Sequence, residues 1–159
     1  GMQPFEIFDL RERPQHADGV AGRIWNAFWK PHGAPYEQIR GGLATFLNSK
    51  EPIPFGLVAE IDGVPCGNCL VIENDEEARP QLTPWIAAVW VDEDKRGRGI
   101  AAALLEEGLR RCAALGIPKV YLVSRPAMRP FYVALGWTVI EEDVGQYRQL
   151  LYCRSLTVA

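Results

Sequence analysis

The sequence lacks several things that would each have pointed somewhere specific. No stretch approaches the roughly 18 unbroken apolar residues of a membrane helix, and the N-terminus lacks the basic-then-apolar order of a secretory signal. A soluble, cytoplasmic protein is expected, with no membrane partner. Histidine is scarce, at 2 in 159 residues, and 4 cysteines are too few for a disulfide framework in a chain of this length. Neither sign of charge dominates: Lys+Arg 17 against Asp+Glu 20 leaves a net charge of -3. That balance lacks the basic face on which nucleic acid binds. No internal repeat, low-complexity tract or linker interrupts the chain. What remains, 48% hydrophobic and 23% charged residues, fits one domain over residues 2–159 with a sizeable core. Gly1 ahead of Met2 reads as an expression remnant.

One cysteine pair invites a chemical reading. Cys66-Gly67-Asn68-Cys69 has the spacing of a redox pair or of half a zinc site. Further zinc ligands could come only from His16, His32 or the remote cysteines. A thioredoxin-type pair would be followed by a helix, whereas Leu70-Val71-Ile72 favours a strand, along which residues three apart face opposite sides. Ordinary buried strand thiols are therefore expected, and no metal.

Apolar periodicity divides the rest of the chain. Phe5 to Leu10 alternates like a strand. From Ala17 or Asp18 to Lys30, Val20, Ile24, Ala27 and Phe28 recur at helical spacing before Pro31 and Gly33. Tyr36 to Asn48 reads as a second helix, weakened at Gly41-Gly42 by roughly 1 kcal/mol per glycine, which makes that pair the place for a break. Phe55 to Ile61 and Val64 to Glu73 are strands flanking the hairpin signal Asp62-Gly63. Asn74 to Pro80 is an acidic, solvated connection, and Leu82 to Val91 is a strand whose Pro84 marks an edge or bulge. Beyond it come a helix from Ile100 to Leu115, a short strand from Lys119 to Val123 and a short helix from Pro126 to Leu135. Strands from Trp137 to Glu141 and Tyr147 to Arg154 close the chain.

The most informative stretch lies between the strand ending at Val91 and the helix starting at Ile100. Its loop carries Arg96-Gly97-Arg98-Gly99. Two glycines let a ligand approach the backbone where unpaired N–H groups and the positive end of the helix dipole attract anions. Arg96 and Arg98 would add charge-assisted hydrogen bonds, so the loop reads as a phosphate cradle.

Continued through Ile100 and Ala101, this loop resembles the Arg/Gln-x-x-Gly-x-Gly/Ala signature of the GCN5-related N-acetyltransferases, the GNAT superfamily. Downstream, Phe131-Tyr132-Val133-Ala134-Leu135-Gly136-Trp137 resembles the family's Phe-Tyr-x-x-Leu-Gly-Phe/Trp segment. Order, separation and element layout agree over nearly the whole chain. The resemblance implies an α/β (α+β) fold, with a mixed, mostly antiparallel sheet of about six to seven strands splayed at the middle and about four helices. It implies acetyl-CoA as cofactor, its pantetheine arm paired with the backbone of Val89, Trp90 and Val91. The diphosphate would lie on N–H groups across Gly97, Arg98, Gly99, Ile100, Ala101 and Ala102, beside Arg96.

Tyr132 stands where many family members have a tyrosine that protonates the departing thiolate. A phenol, with an ordinary pKa of about 10, can donate at neutral pH without tuning. The alternative is an aromatic that packs the coenzyme tail or the core. A general base is not evident: Glu60, Glu73 and His32 are the candidates, and deprotonation of the acceptor through water is equally open. Arg125 replaces an asparagine that in many relatives touches the pantetheine arm, and could meet a coenzyme phosphate, an acidic acceptor or solvent. By family position Trp29, His32 and Tyr36 wall the acceptor pocket, joined by Trp85, although tryptophans are core candidates first.

The expected activity is transfer of an acetyl group from acetyl-CoA to a primary amine, with a small-molecule acceptor, by direct attack in a ternary complex. The rival readings are a non-catalytic acyl-CoA-binding regulatory module and an acetyltransferase of protein N-termini or lysines. A homodimer is left open.

Overall fold

The computed structural model describes residues 4–157, so Gly1, read above as an expression remnant, lies outside the described residues. Among these residues seven strands and four α-helices follow one another: β1 (Glu6–Asp9), α1 (Ala17–Ile24), α2 (Tyr36–Leu47), β2 (Phe55–Ile61), β3 (Val64–Ile72), β4 (Trp85–Val91), α3 (Ile100–Ala114), β5 (Lys119–Ser124), α4 (Arg129–Ala134), β6 (Thr138–Val144) and β7 (Gln149–Ser155). The strands hydrogen-bond in the order β1-β2-β3-β4-β5-β7-β6. β1 with β2, β5 with β7 and β6 with β7 are antiparallel, and β4 with β5 is parallel. This is the mixed, mostly antiparallel sheet that the resemblance implied. No helix among the described residues is long and apolar enough to cross a membrane.

Contacts gather the chain into two compact units, one holding residues up to Leu70 with Ala88–Gly108, the other Val71–Ala87 with the chain from Leu109 onward. In the first, Val20, Ala21 and Ile24 of α1 meet Leu43 and Phe46 of α2, with Leu10 and Val58. Every residue of β2 is buried, as a strand covered on both faces requires. Its hairpin to β3 turns through Asp62 and Gly63 at φ 52° and 78°, the doubly left-handed turn that matches strand twist. In the second unit Trp85, Val144 and Leu151 form one buried cluster, covered by Ile72, Leu82, Tyr121 and Val123.

Two local outcomes differ from the expected pattern, and one helix that could have broken does not. The first helix does not run to Lys30: α1 stops at Ile24 and continues as a π turn over Trp25–Trp29, in which the Lys30 N–H reaches the Trp25 carbonyl. The Trp25 indole donates to the Ala34 carbonyl at 2.6 Å, which anchors the wide turn while Phe28 and Trp29 stay exposed. α2 passes unbroken through Gly41 and Gly42, because buried Leu43 and Phe46 hold its far end in the core. β4 begins only at Trp85, and its register with β5 consists of Trp85 opposite Tyr121. Shortly after that pair, Ala88 adopts φ 54°, a left-handed kink in mid-strand.

Candidate active site

The cradle is built in the first unit. Gly97 and Gly99 have φ 77° and 81°, a backbone region that residues with a Cβ rarely enter, and a Cβ added at either would meet nothing within 4 Å. The glycines are thus required by the turn itself, and the face above them is open. The Gly99 carbonyl accepts from Ala103 N at 3.0 Å, the first bond of α3. The N–H groups of Ile100, Ala101 and Ala102 therefore have no partner within the helix. Left-handed glycines feeding a helix N-terminus gather backbone N–H groups into a concavity suited to phosphate.

Side chains fix both ends of this loop. Asp92, its first residue, takes Arg23 of α1 in a fork, Nε to Oδ1 at 2.8 Å and a terminal nitrogen to Oδ2 at 3.0 Å. Arg23 also donates to the Pro65 carbonyl at 2.8 Å, and the Asp92 N–H donates to Cys66 O at 2.8 Å. Arg96 is not a free cation reaching for a ligand: its Nε donates to Val91 O at 2.9 Å and its guanidinium lies over the Trp90 ring at 4.5 Å. Trp90 in turn meets the Phe28 ring edge-on, with centroids 6.3 Å apart. Arg98 is the half-exposed cation of the loop.

The cysteine pair has no redox or metal geometry. Cys66 and Cys69 are buried thiols whose sulfurs go to different backbone carbonyls, those of Ala59 at 3.5 Å and Leu104 at 3.7 Å. Burial pushes the Cys66 thiol up from its ordinary value. Among the described residues no group of three His, Cys, Asp or Glu could hold a metal ion.

The expected acceptor-end residues divide. Trp29, the last residue of the π turn and 42% exposed, and His32 beyond it lie on the surface. Tyr36 is a packing residue, edge-on to Trp25 at 6.1 Å with its hydroxyl donating to Asp18 O at 3.3 Å. Trp85 is no pocket wall: it is fully buried in the second unit, its indole donating to Leu82 O at 2.7 Å and its ring stacked obliquely on Tyr121. Phe28, which the helical spacing placed on the apolar face with Val20 and Ile24, is instead 40% exposed and lies against Trp90. Its only signal as a site residue was its place beside Trp29. Among the candidate bases, Glu60 is buried and engaged, its Oε2 lying 2.6 Å from His16 Nε2 and 3.2 Å from Arg13 Nε. Those partners make it a structural ion pair. Glu73 is exposed beyond the end of β3.

Within the second unit, Tyr132 on α4 is 5% exposed, flanked by Phe131 and by Tyr152, whose ring centroid is 5.3 Å away. The Tyr152 hydroxyl shares a hydrogen bond of 2.8 Å with Ser124 Oγ at the end of β5. Arg125, next in sequence, is exposed.

The same fold recurs in solved structures. A GNAT-family acetyltransferase from Staphylococcus aureus Mu50 superposes with a TM-score of 0.73 at 16% identity, over 97% of this chain and 100% of that one. A GCN5-related N-acetyltransferase from Ralstonia eutropha JMP134 gives a TM-score of 0.64 at 22% identity, over 87% and 95%. An acyl-CoA N-acyltransferase from Pseudomonas aeruginosa gives 0.66 at 19%, over 96% and 99%. At such identities the likeness establishes architecture, that of the acyl-CoA N-acyltransferases. Lineage comes from the sequence: the Acetyltransferase (GNAT) family model matches residues 21–137, and the chain belongs to that family.

Proposed function

We propose that the protein transfers an acetyl group from acetyl-CoA to the primary amine of a small-molecule acceptor. The observation that carries this reading is the pair of left-handed glycines, Gly97 and Gly99, opening α3 beneath an open face. Their backbone fits a diphosphate, with Arg98 at hand to neutralise it. The β4 segment Val89 to Val91 offers backbone groups to an extended pantetheine arm. The coenzyme supplies the activated thioester; the acceptor nitrogen bonds to its carbonyl carbon as the carbon–sulfur bond breaks. Tyr132 is proposed as donor of the proton that the departing thiolate takes, and the proton lost by the amine passes to water. The exposed aromatics Phe28 and Trp29 favour an acceptor with an apolar portion over a polycation.

The test is release of free thiol from acetyl-CoA across a panel of amines, with product mass measured alongside. Acceptor-dependent thiol release is expected. It should vanish in Gly99→Val, whose side chain cannot take the left-handed turn, and slow in Tyr132→Phe with coenzyme affinity retained. Tight coenzyme binding without turnover on any amine would instead establish a regulatory acyl-CoA binder, and acetylation confined to peptides would make the acceptor a protein. Unchanged coenzyme affinity in Gly99→Val would remove the cradle.

A further inference from the structure

Asn68 has no evident reason to be where it is. Its side chain is 0% exposed, a costly place for an amide. Nδ2 donates to the Ala88 carbonyl at 2.9 Å, while Oδ1 has no partner. Ala88 is the strained residue of β4, at φ 54°, a conformation that costs a residue with a Cβ about 1–3 kcal/mol. A half-satisfied buried amide holding the carbonyl of a strained residue makes a poor stabilising device. Strain of this kind, over-determined by its surroundings, concentrates where a backbone group must be aimed.

The direction of aim follows from peptide geometry. The cis peptide bonds are Ile53-Pro54 and Thr83-Pro84, so the Ala88–Val89 bond is trans, with its C=O and N–H pointing opposite ways. Gripping the Ala88 carbonyl therefore turns the Val89 N–H away from Asn68 and from β3. On that side β4 has strand register only at Trp85, before the kink. The neighbouring residue acts on the same segment. A Cβ at Gly67 would stand 3.0 Å from Trp90 O and 3.3 Å from Val91 Cγ2, so β3 approaches the β4 backbone as closely as glycine permits. The two middle residues of Cys66-Gly67-Asn68-Cys69 thus shape β4, whereas the two thiols are packing.

We propose that Asn68 is a positioning residue which, by holding the Ala88 carbonyl, aims the Val89 N–H at the carbonyl oxygen of the acyl thioester. The hydrogen bond strengthens as that oxygen gains negative charge during attack. The inference rests on the acyl-CoA reading above, and NMR distinguishes its failure from the failure of that reading. Backbone amide signals are followed while the protein is titrated with CoA and, separately, with a ketone analogue of acetyl-CoA that keeps the carbonyl and cannot transfer. Gly97 and Gly99 should respond to both ligands, and Val89 should move downfield with the ketone alone. In Asn68→Leu the glycine responses persist, the Val89 response is lost, and kcat falls about tenfold or more with KM for acetyl-CoA changed less than about threefold. Should that variant not fold, Asn68→Ala, which is smaller and has no donor for Ala88 O, carries the same readouts. A Val89 amide indifferent to the ketone while the glycines respond, or a variant with kcat within about twofold of the parent, would overturn the role of Asn68. Glycine amides unmoved by either ligand would overturn the coenzyme reading and this inference with it.

Discussion

Replacing Glu60 with glutamine separates a structural ion pair from a catalytic base. The residue is 8% exposed, and its Oε2 lies 2.6 Å from His16 Nε2 and 3.2 Å from Arg13 Nε. Glutamine keeps the shape and an acceptor oxygen but removes the charge. A hydrogen bond to a charged group contributes about 1.5–3 kcal/mol against about 0.5–1.5 for a neutral one. The Arg13 side chain is 30% exposed, so its share is discounted for solvent screening, and a loss of about 2 kcal/mol is expected. In a chain of this length that lowers Tm by about 4–8 °C. Circular-dichroism melts supply the Tm, and thiol release at a temperature below both transitions supplies kcat. The expected result is a lower Tm with kcat within about twofold of the parent. An unchanged melt with kcat down by about a hundredfold or more would refute the structural assignment and make Glu60 the base.

Two further perturbations follow from the packing. Gly67→Ala sets a methyl group 3.0 Å from Trp90 O, a contact with backbone that no flexible side chain can relieve. Overpacking of this kind costs about 1–3 kcal/mol, and the displaced β4 backbone should also raise KM for acetyl-CoA; unaltered melting and KM would show that β3 has room there. Burial pushes the Cys112 thiol up to about 11 from an ordinary 9.0, so between those values the unfolded chain has lost a proton that the native one keeps. Unfolding then releases a proton, and stability should fall as pH rises across that window. Melts in alkaline buffer measure the slope, which Cys112→Ala should reduce; an equal slope in the variant would assign the alkaline loss to other groups.

Much of the architecture was legible because its signals are local. β2 is bounded as its apolar run suggests, and Asp62-Gly63 turns as that dipeptide prescribes. Gly97 and Gly99 declared a helix entrance through composition alone. The misses share a different cause, dependence on partners far along the chain. Glu60 looked like a strand-end carboxylate until His16, 44 positions away, was found against it. The Ala88 kink has no signature of its own, since alanine is no turn residue; it is imposed from β3. The π turn escapes periodicity because its aromatics recur at intervals that an α-helix also allows, and the two are distinguished by a backbone bond, Lys30 N–H to the Trp25 carbonyl, which residue types do not announce. Trp85 was placed at a pocket by position in the family, and its full burial shows how weakly position constrains an aromatic.

The π turn separates two environments within one continuous helical segment. Val20, Ala21 and Ile24 answer to the core, so their spacing is fixed by the neighbours they touch. A π turn holds one more residue than an α-helical turn, and it takes up that extra residue without shifting the register of what precedes it. Phe28 and Trp29, exposed at the end of the turn, can therefore change in kind while Trp25 keeps its bond to Ala34 and the core stays as it is. On the proposed reading, a change of acceptor would leave its record at these two aromatics rather than in the sheet.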